Sequence, residues 1–227
     1  MPWWRRDDRP GTLARVGARG RHPSATRHSA SGWPVVLAGR TPHGTPIALR
    51  PLAHADATEF LDVRRVNAAW LAPWDATAPA GHASPRTFAE LVDLYEADGR
   101  AGRALAFVVT RDEVIVGQLT VSSIVLGSFR SCSAGYWIAR SSAGLGIMPT
   151  ALAMAADHCF DTLGLHRIEV NIRPENAASL AVVRKLRFRD EGMRLRMLHI
   201  DGDWRDHRSF ALTSEDLQGG SVRSRLG

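Results

Sequence analysis

Cysteine is scarce in this sequence. Cys132 and Cys159 are the only two among 227 residues, which excludes a disulfide framework. Cys159 falls on the apolar face of a helical pattern and reads as a small core residue. No apolar run approaches the roughly 20 residues of a membrane helix, so no membrane partner is expected. The N-terminus lacks a continuous apolar stretch of the secretory kind. With 44% hydrophobic residues the composition is that of an ordinary soluble domain, and a reducing cytoplasm is its expected location. No metal site is expected.

Net charge is nearly absent from most of the chain as well. The formal net charge is +6, but residues 1–32 hold seven arginines against two aspartates, net +5, leaving +1 for the rest. That leading segment is rich in Arg, Gly, Pro, Ser and Ala without periodicity, and reads as a disordered basic extension. It is either a solvated arm or a weak contact for RNA or another polyanion, with Trp3 and Trp4 beside Arg5 and Arg6. The remainder is long enough for one domain with a full core.

The stretch around which the domain is organised lacks the residues of two familiar phosphate loops. Ser141-Ser142-Ala143-Gly144-Leu145-Gly146 opens directly into a helix beginning near Ile147. No Lys follows the second glycine, as a P-loop requires. The dinucleotide fingerprint needs a third small residue where Pro149 stands, and an acid after the next strand where Ile172-Arg173 stands. What is present is a backbone device. Gly144 and Gly146 allow close approach and positive φ, and the helix start offers unpaired N–H groups to an anion. Pro149 sits where its missing donor costs nothing. The same residues would also serve as a tight strand-to-helix turn without a ligand.

Around this loop the pattern alternates strands and helices. Val35–Leu37 and Pro46–Leu52 read as a hairpin around His43-Gly44. Asp56 can cap a helix to about Asn67, and Trp70–Ala80 is a loop punctuated by proline. Ser84 can cap a second helix from Pro85 to about Asp98, stopped by Gly99. Strands follow over Ala104–Thr110, Val114–Val125 and Ser131–Ile138. The loop's helix ends at Gly164. Ile168, Val170 and Ile172 alternate as a strand, Pro174-Glu175-Asn176 turns, and a further helix runs to Leu186. Two strands, Met193–Ile200 and Trp204–Thr213, join through Asp201-Gly202. Beyond Asp216 the tail reads as polar and loose. The order predicts a mixed α/β (α+β) sheet flanked by helices.

An Arg/Gln-x-x-Gly-x-Gly/Ala loop entering a helix is the acyl-CoA loop, and here the chain resembles the GNAT family of N-acetyltransferases. Pro174-Glu175-Asn176, then Ser179 and Lys185-Leu186-x-Phe188, look like that family's second block. Trp70-Leu71-x-Pro73-Trp74-Asp75, Gly127-Ser128-Phe129, Gly135-Tyr136-x-Ile138 and Ile200-Asp201-Gly202-Asp203-Trp204-Arg205-Asp206-His207 resemble the ribosomal-protein alanine N-acetyltransferase branch. The resemblance covers Trp33 to Asp216, with 1–32 as extension and 217–227 as tail. It implies a mostly antiparallel sheet with a V-shaped acyl-CoA cleft and acetyl-CoA as co-substrate. The resemblance implies as acceptor the α-amine of a protein N-terminus, that of a ribosomal protein in this branch, and a monomer or homodimer. The implied acetyl-CoA contacts are Tyr136, Trp137, Ile138, Ala139, Ser141, Ala143, Gly144, Leu145, Gly146, Ile147, Asn176 and Ser179. Ser179 would protonate the leaving thiolate and Asn176 would bind the pantetheine arm, although both also suit a helix N-terminus. Trp74, Asp75 and Trp204 would line the acceptor slot, with Asp75 pairing the α-ammonium.

Several positions depart from that pattern. Ser141 stands at the loop's first position, Val183 where many relatives place a tyrosine, and Ala134 where a carboxylate can precede Gly-Tyr. Arg187 replaces a glycine, which would strain a left-handed turn. His199 and His207 are candidate bases on exposed strands. The chemistry tolerates a weak base, because freeing an α-amine of pKa near 8 costs about 1 kcal/mol at neutral pH, against about 4 to 5 for lysine. Small-amine or antibiotic acetylation and acyl-CoA binding without turnover remain alternatives, as does an RNA- or ribosome-binding accessory protein.

Overall fold

An eight-stranded sheet follows chain order until its sixth strand. β1 (Leu37–Arg40), β2 (Pro46–Pro51), β3 (Leu105–Arg111), β4 (Val114–Val125) and β5 (Ser131–Ile138) lie side by side and antiparallel. β6 (Arg167–Ile172) then joins β5 in parallel. The closing hairpin reverses the order, with β8 (Asp203–Thr213) against β6 and β7 (Arg189–Ile200) at the edge. The computed structural model describes residues 32–79 and 87–227. The basic extension, apart from Gly32, lies outside these residues, as do Ser84 and Pro85.

The parallel step needs a crossover, which α4 (Ile147–Asp157) supplies. Every residue of α4 except Pro149 is buried, because the helix lies under the sheet rather than on its rim. β3 is buried along both faces. Leu105, Phe107 and Val109 belong to the core shared with α4 and α5 (Ala177–Lys185), whereas Val108 faces α1 (Ala57–Val66) and α3 (Phe88–Arg100), between which lies the single turn α2 (Ala68–Leu71). A strand covered on both faces loses the apolar–polar alternation and reads as a continuous apolar run.

β5 and β6 pair over only three rungs, from Ser131–Arg167 to Ser133–Glu169. Beyond them β5 stays with β4 as far as Ile138, and β6 stays with β8 as far as Ile172. The sheet therefore opens in its middle. This is the V expected from the resemblance.

Three expectations are corrected. The first strand spans Leu37–Arg40. α3 begins at Phe88, with a reciprocal cap between Thr87 and Glu90, and runs through Gly99 to Arg100. Gly99 is no stop signal: a Cβ there would meet the Trp33 indole at 2.5 Å, so the glycine makes room for that ring. The tail after Asp216 is not loose. Val222 is fully buried, and its N–H donates to Asp157 Oδ1 at 2.6 Å. The Arg223 N–H and Nε both reach Asp157 Oδ2 at 3.3 Å. The Arg225 guanidinium donates to the carbonyls of Leu186 at 2.8 Å and Asp216 at 2.5 Å. Few apolar residues mark the tail, because polar partners on α4 and at the end of α5 hold it.

Candidate active site

The loop after β5 is wound tightly before it reaches α4. The N–H groups of Ser142 and Ala143 are used inside it, on the carbonyls of Ala139 and Arg140. Gly144 (φ +79°) and Gly146 (φ +74°) both take the left-handed conformation, and a Cβ on Gly144 would meet nothing within 4 Å. The open side of the turn is thus backbone. The helix's ladder starts late, with Thr150 donating to Gly146 O at 3.2 Å. The N–H groups of Ile147 and Met148 precede it and have no partner inside the helix. Ile147 itself is buried, so it can offer a ligand only its N–H. Ser141 and Leu145 are exposed. The Ser142 hydroxyl is buried without a partner among the described residues.

The parted strands carry a pair of hydroxyls. Tyr136 lies on β5 past the last rung with β6, and Ser179 lies in the first turn of α5, which follows β6. Ser179 Oγ donates to the Tyr136 hydroxyl at 2.8 Å. Asn176 is the N-cap of α5, its Oδ1 accepting from the Ser179 N–H at 3.0 Å. Burial pushes the Tyr136 phenol well above its usual pKa, and the bond from Ser179 only partly offsets this.

Trp137 points to the opposite face. Its ring packs edge-on against Phe60, with the Arg64 guanidinium 4.9 Å from the ring centroid. Its Nε1 donates to Gln118 Oε1 at 3.0 Å. Arg64 Nη2 also donates to Asp75 Oδ2 at 2.6 Å, with both side chains largely buried.

A strap, residues 67–77, links the two arms of the V. The Trp70 Nε1 donates to Ile138 O at 3.1 Å, and the Arg140 N–H donates to Asn67 Oδ1 at 2.8 Å, which pins the strap to the end of β5. Arg173, just past β6, donates to Pro73 O at 2.8 Å and lies 5.4 Å from the Trp74 ring centroid. Further on, the Thr77 N–H donates to His199 O at 2.9 Å, and Ala76 bridges Ile200 of the final hairpin. Trp204, half exposed, sits opposite His199 on that hairpin. Residues 76 and 77, just after Trp74 and Asp75, thus dock on the hairpin that carries Trp204.

The Acetyltransferase (GNAT) domain family matches residues 47–189. The chain is 31% identical over 172 residues to the [Ribosomal protein uS5]-alanine N-acetyltransferase of Escherichia coli, covering 75% of this chain and 89% of that one. The chain belongs to the GNAT acetyltransferase family. Among solved structures it matches Mycobacterium smegmatis RimJ in complex with CoA-disulfide, with a TM-score of 0.79 and 39% identity over 86% of this chain and 94% of that one. The ribosomal-protein-S5-alanine acetyltransferase of Vibrio fischeri follows at 0.69 and 26%, over 79% and 98%.

This acetyltransferase uses acetyl-CoA as co-substrate, and the parted strands and the bare Gly144 turn suit that ligand. Of the expected contacts, Tyr136, Asn176 and Ser179 meet directly, and Ala139 with the loop residues 141–147 continues the same strand toward α4. The Trp137 side chain faces away, so its share can come only from backbone, and Ile138 O is already taken by Trp70. Asp75 is held by Arg64, a partner the sequence reading overlooked. Arg64 shares the i, i+4 face of the buried Phe60, and a charge on that apolar face was the available signal. His207 does not stand on an exposed strand as expected: it is buried, and burial lowers its pKa. His199 is half-buried, with Nδ1 2.7 Å from Thr77 Oγ1.

Proposed function

We propose that this acetyltransferase acetylates the α-amine of a protein N-terminus, with a ribosomal protein as the acceptor. The similarity to the uS5-alanine enzyme carries the reading, since it extends over 89% of that enzyme's length. The strap and final hairpin support it. They tie the segment bearing Trp74 and Asp75 to β5 and to the hairpin bearing Trp204, and in this reading an extended chain end enters the V beside them.

In this reading the loop 141–147 holds the CoA phosphates by backbone N–H groups, and the Tyr136–Ala139 segment lies along the pantetheine arm. The neutral amine attacks the thioester carbonyl, the C–S bond breaks, and the sulfur leaves with the electron pair beside Ser179. An α-amine needs only a weak base or an ordered water, at a cost of about 1 kcal/mol near neutral pH. Asp75 orients the acceptor while its charge is balanced by Arg64.

N-terminal peptides from cells with and without the protein, compared by mass spectrometry, test this. The acetylated fraction of one or a few ribosomal N-termini should fall when the protein is removed. Unchanged N-termini beside altered acetylation of small amines would overturn the reading.

A further inference from the structure

We propose that Tyr136 is a positioning residue for acetyl transfer: its hydroxyl, paired with Ser179 across the gap between the parted strands, makes that serine a stronger hydrogen-bond donor toward the departing CoA sulfur. This rests on the reading above that places the sulfur beside Ser179. The two hydroxyls come from opposite arms of the V, one from β5 and one from the helix that follows β6, and meet at 2.8 Å. Ser179 is fixed twice, by the Asn176 cap on its N–H and by Tyr136 on its Oγ. The other acceptor near the phenol, the Ser179 carbonyl, is 3.5 Å away, at the limit of hydrogen bonding. The phenol hydrogen is therefore available to turn toward Ser179 Oγ.

Either hydroxyl can donate to the other, since both hydrogens rotate. When Tyr136 donates to Ser179 Oγ, the serine hydrogen is released toward the sulfur, and each bond polarises the next. The serine keeps its proton, because a thiol ionises near 8.5 and an aliphatic hydroxyl is a far weaker acid. The step balances without that proton. The amine nitrogen bonds to the carbonyl carbon, the C–S bond breaks with its electron pair on sulfur, and the extra proton on nitrogen goes to water. Burial keeps the phenol protonated and able to donate.

Tyr136→Phe in the full chain tests this, assayed with acetyl-CoA and a synthetic peptide bearing a free N-terminal alanine. We expect kcat to fall about tenfold, the scale of one hydrogen bond, while the KM for acetyl-CoA and the melting temperature stay unchanged. Ser179→Ala should lower kcat further, and the double variant should be no slower than Ser179→Ala alone. An unchanged kcat in Tyr136→Phe, or a double variant that loses the product of both effects, would overturn the proposal. A raised KM with a lowered melting temperature and normal kcat would reduce Tyr136 to a packing residue and also overturn it. If the unaltered enzyme leaves the peptide unmodified, the acceptor reading fails and this proposal fails with it.

Discussion

The two ends of the cleft are built from different materials. The end proposed to hold acetyl-CoA is largely backbone: two left-handed glycines, the start of a buried helix, and the edge of a strand that has left its neighbour. The end proposed for the acceptor is side chain: Trp70 on a carbonyl, Arg64 on Asp75, Arg173 over Trp74, Thr77 on His199. Backbone contacts ask little of sequence beyond glycine and small residues, and they suit a ligand that does not change. Side-chain contacts can be exchanged one at a time, so the acceptor end can change specificity while the other end stands.

The largest effect should come from breaking the backbone end. Gly144→Glu puts a charge and a strained left-handed residue where the phosphates would lie, and calorimetry should detect no acetyl-CoA binding. Gly127 is a matched control, also left-handed (φ +72°) and open, but on the β4–β5 turn. Gly127→Glu should cost about 1 to 2 kcal/mol of stability and leave acetyl-CoA affinity alone.

Breaking the side-chain end should do the reverse. Arg64→Met leaves the largely buried Asp75 carboxylate without this partner, a loss of about 3 kcal/mol in chemical denaturation. The KM for an acceptor peptide should rise, while the calorimetric affinity for acetyl-CoA should hold. Equal damage to both ligands would erase the distinction between the two ends.

Acid sharpens the contrast. Burial lowers the pKa of His158 and of His207. Each is therefore bound to fewer protons folded than unfolded over the interval below the free imidazole value of about 6.5. Their contribution to stability is complete above that value and is lost as pH falls through the folded pKa. Denaturation midpoints should drop between pH 7 and pH 5, and His207→Gln should shrink that drop. His207 lies on the closing hairpin, so the acceptor end should loosen first in hydrogen exchange.

The smallest effect concerns α5. Arg187 holds φ +55° just after the helix, and Arg225 from the tail donates to the adjoining Leu186 carbonyl. Arg187→Gly should raise stability by about 1 kcal/mol by removing the left-handed cost.

Much of the backbone end was legible, because glycine spacing, a strand before the loop and a proline in the first helical turn are local signals. The cap from Asn176 to Ser179 is local too. The acceptor end was not, since Trp70 meets Ile138 and Thr77 meets His199 across long separations that no periodicity records. Gly99 was misread for a related reason: the ring that requires it, Trp33, lies far away in the chain. The tail was misread because its anchor, Asp157, lies 65 residues before Val222.

The central claim is that the side-chain end accepts a protein N-terminus. Its most direct measurement is transfer from acetyl-CoA to a peptide with a free N-terminal alanine and an internal lysine, the site being read by tandem mass spectrometry. The account predicts acetyl on the α-amine alone. Acetyl on the lysine ε-amine, or transfer to small amines with the peptide N-terminus untouched, would contradict it.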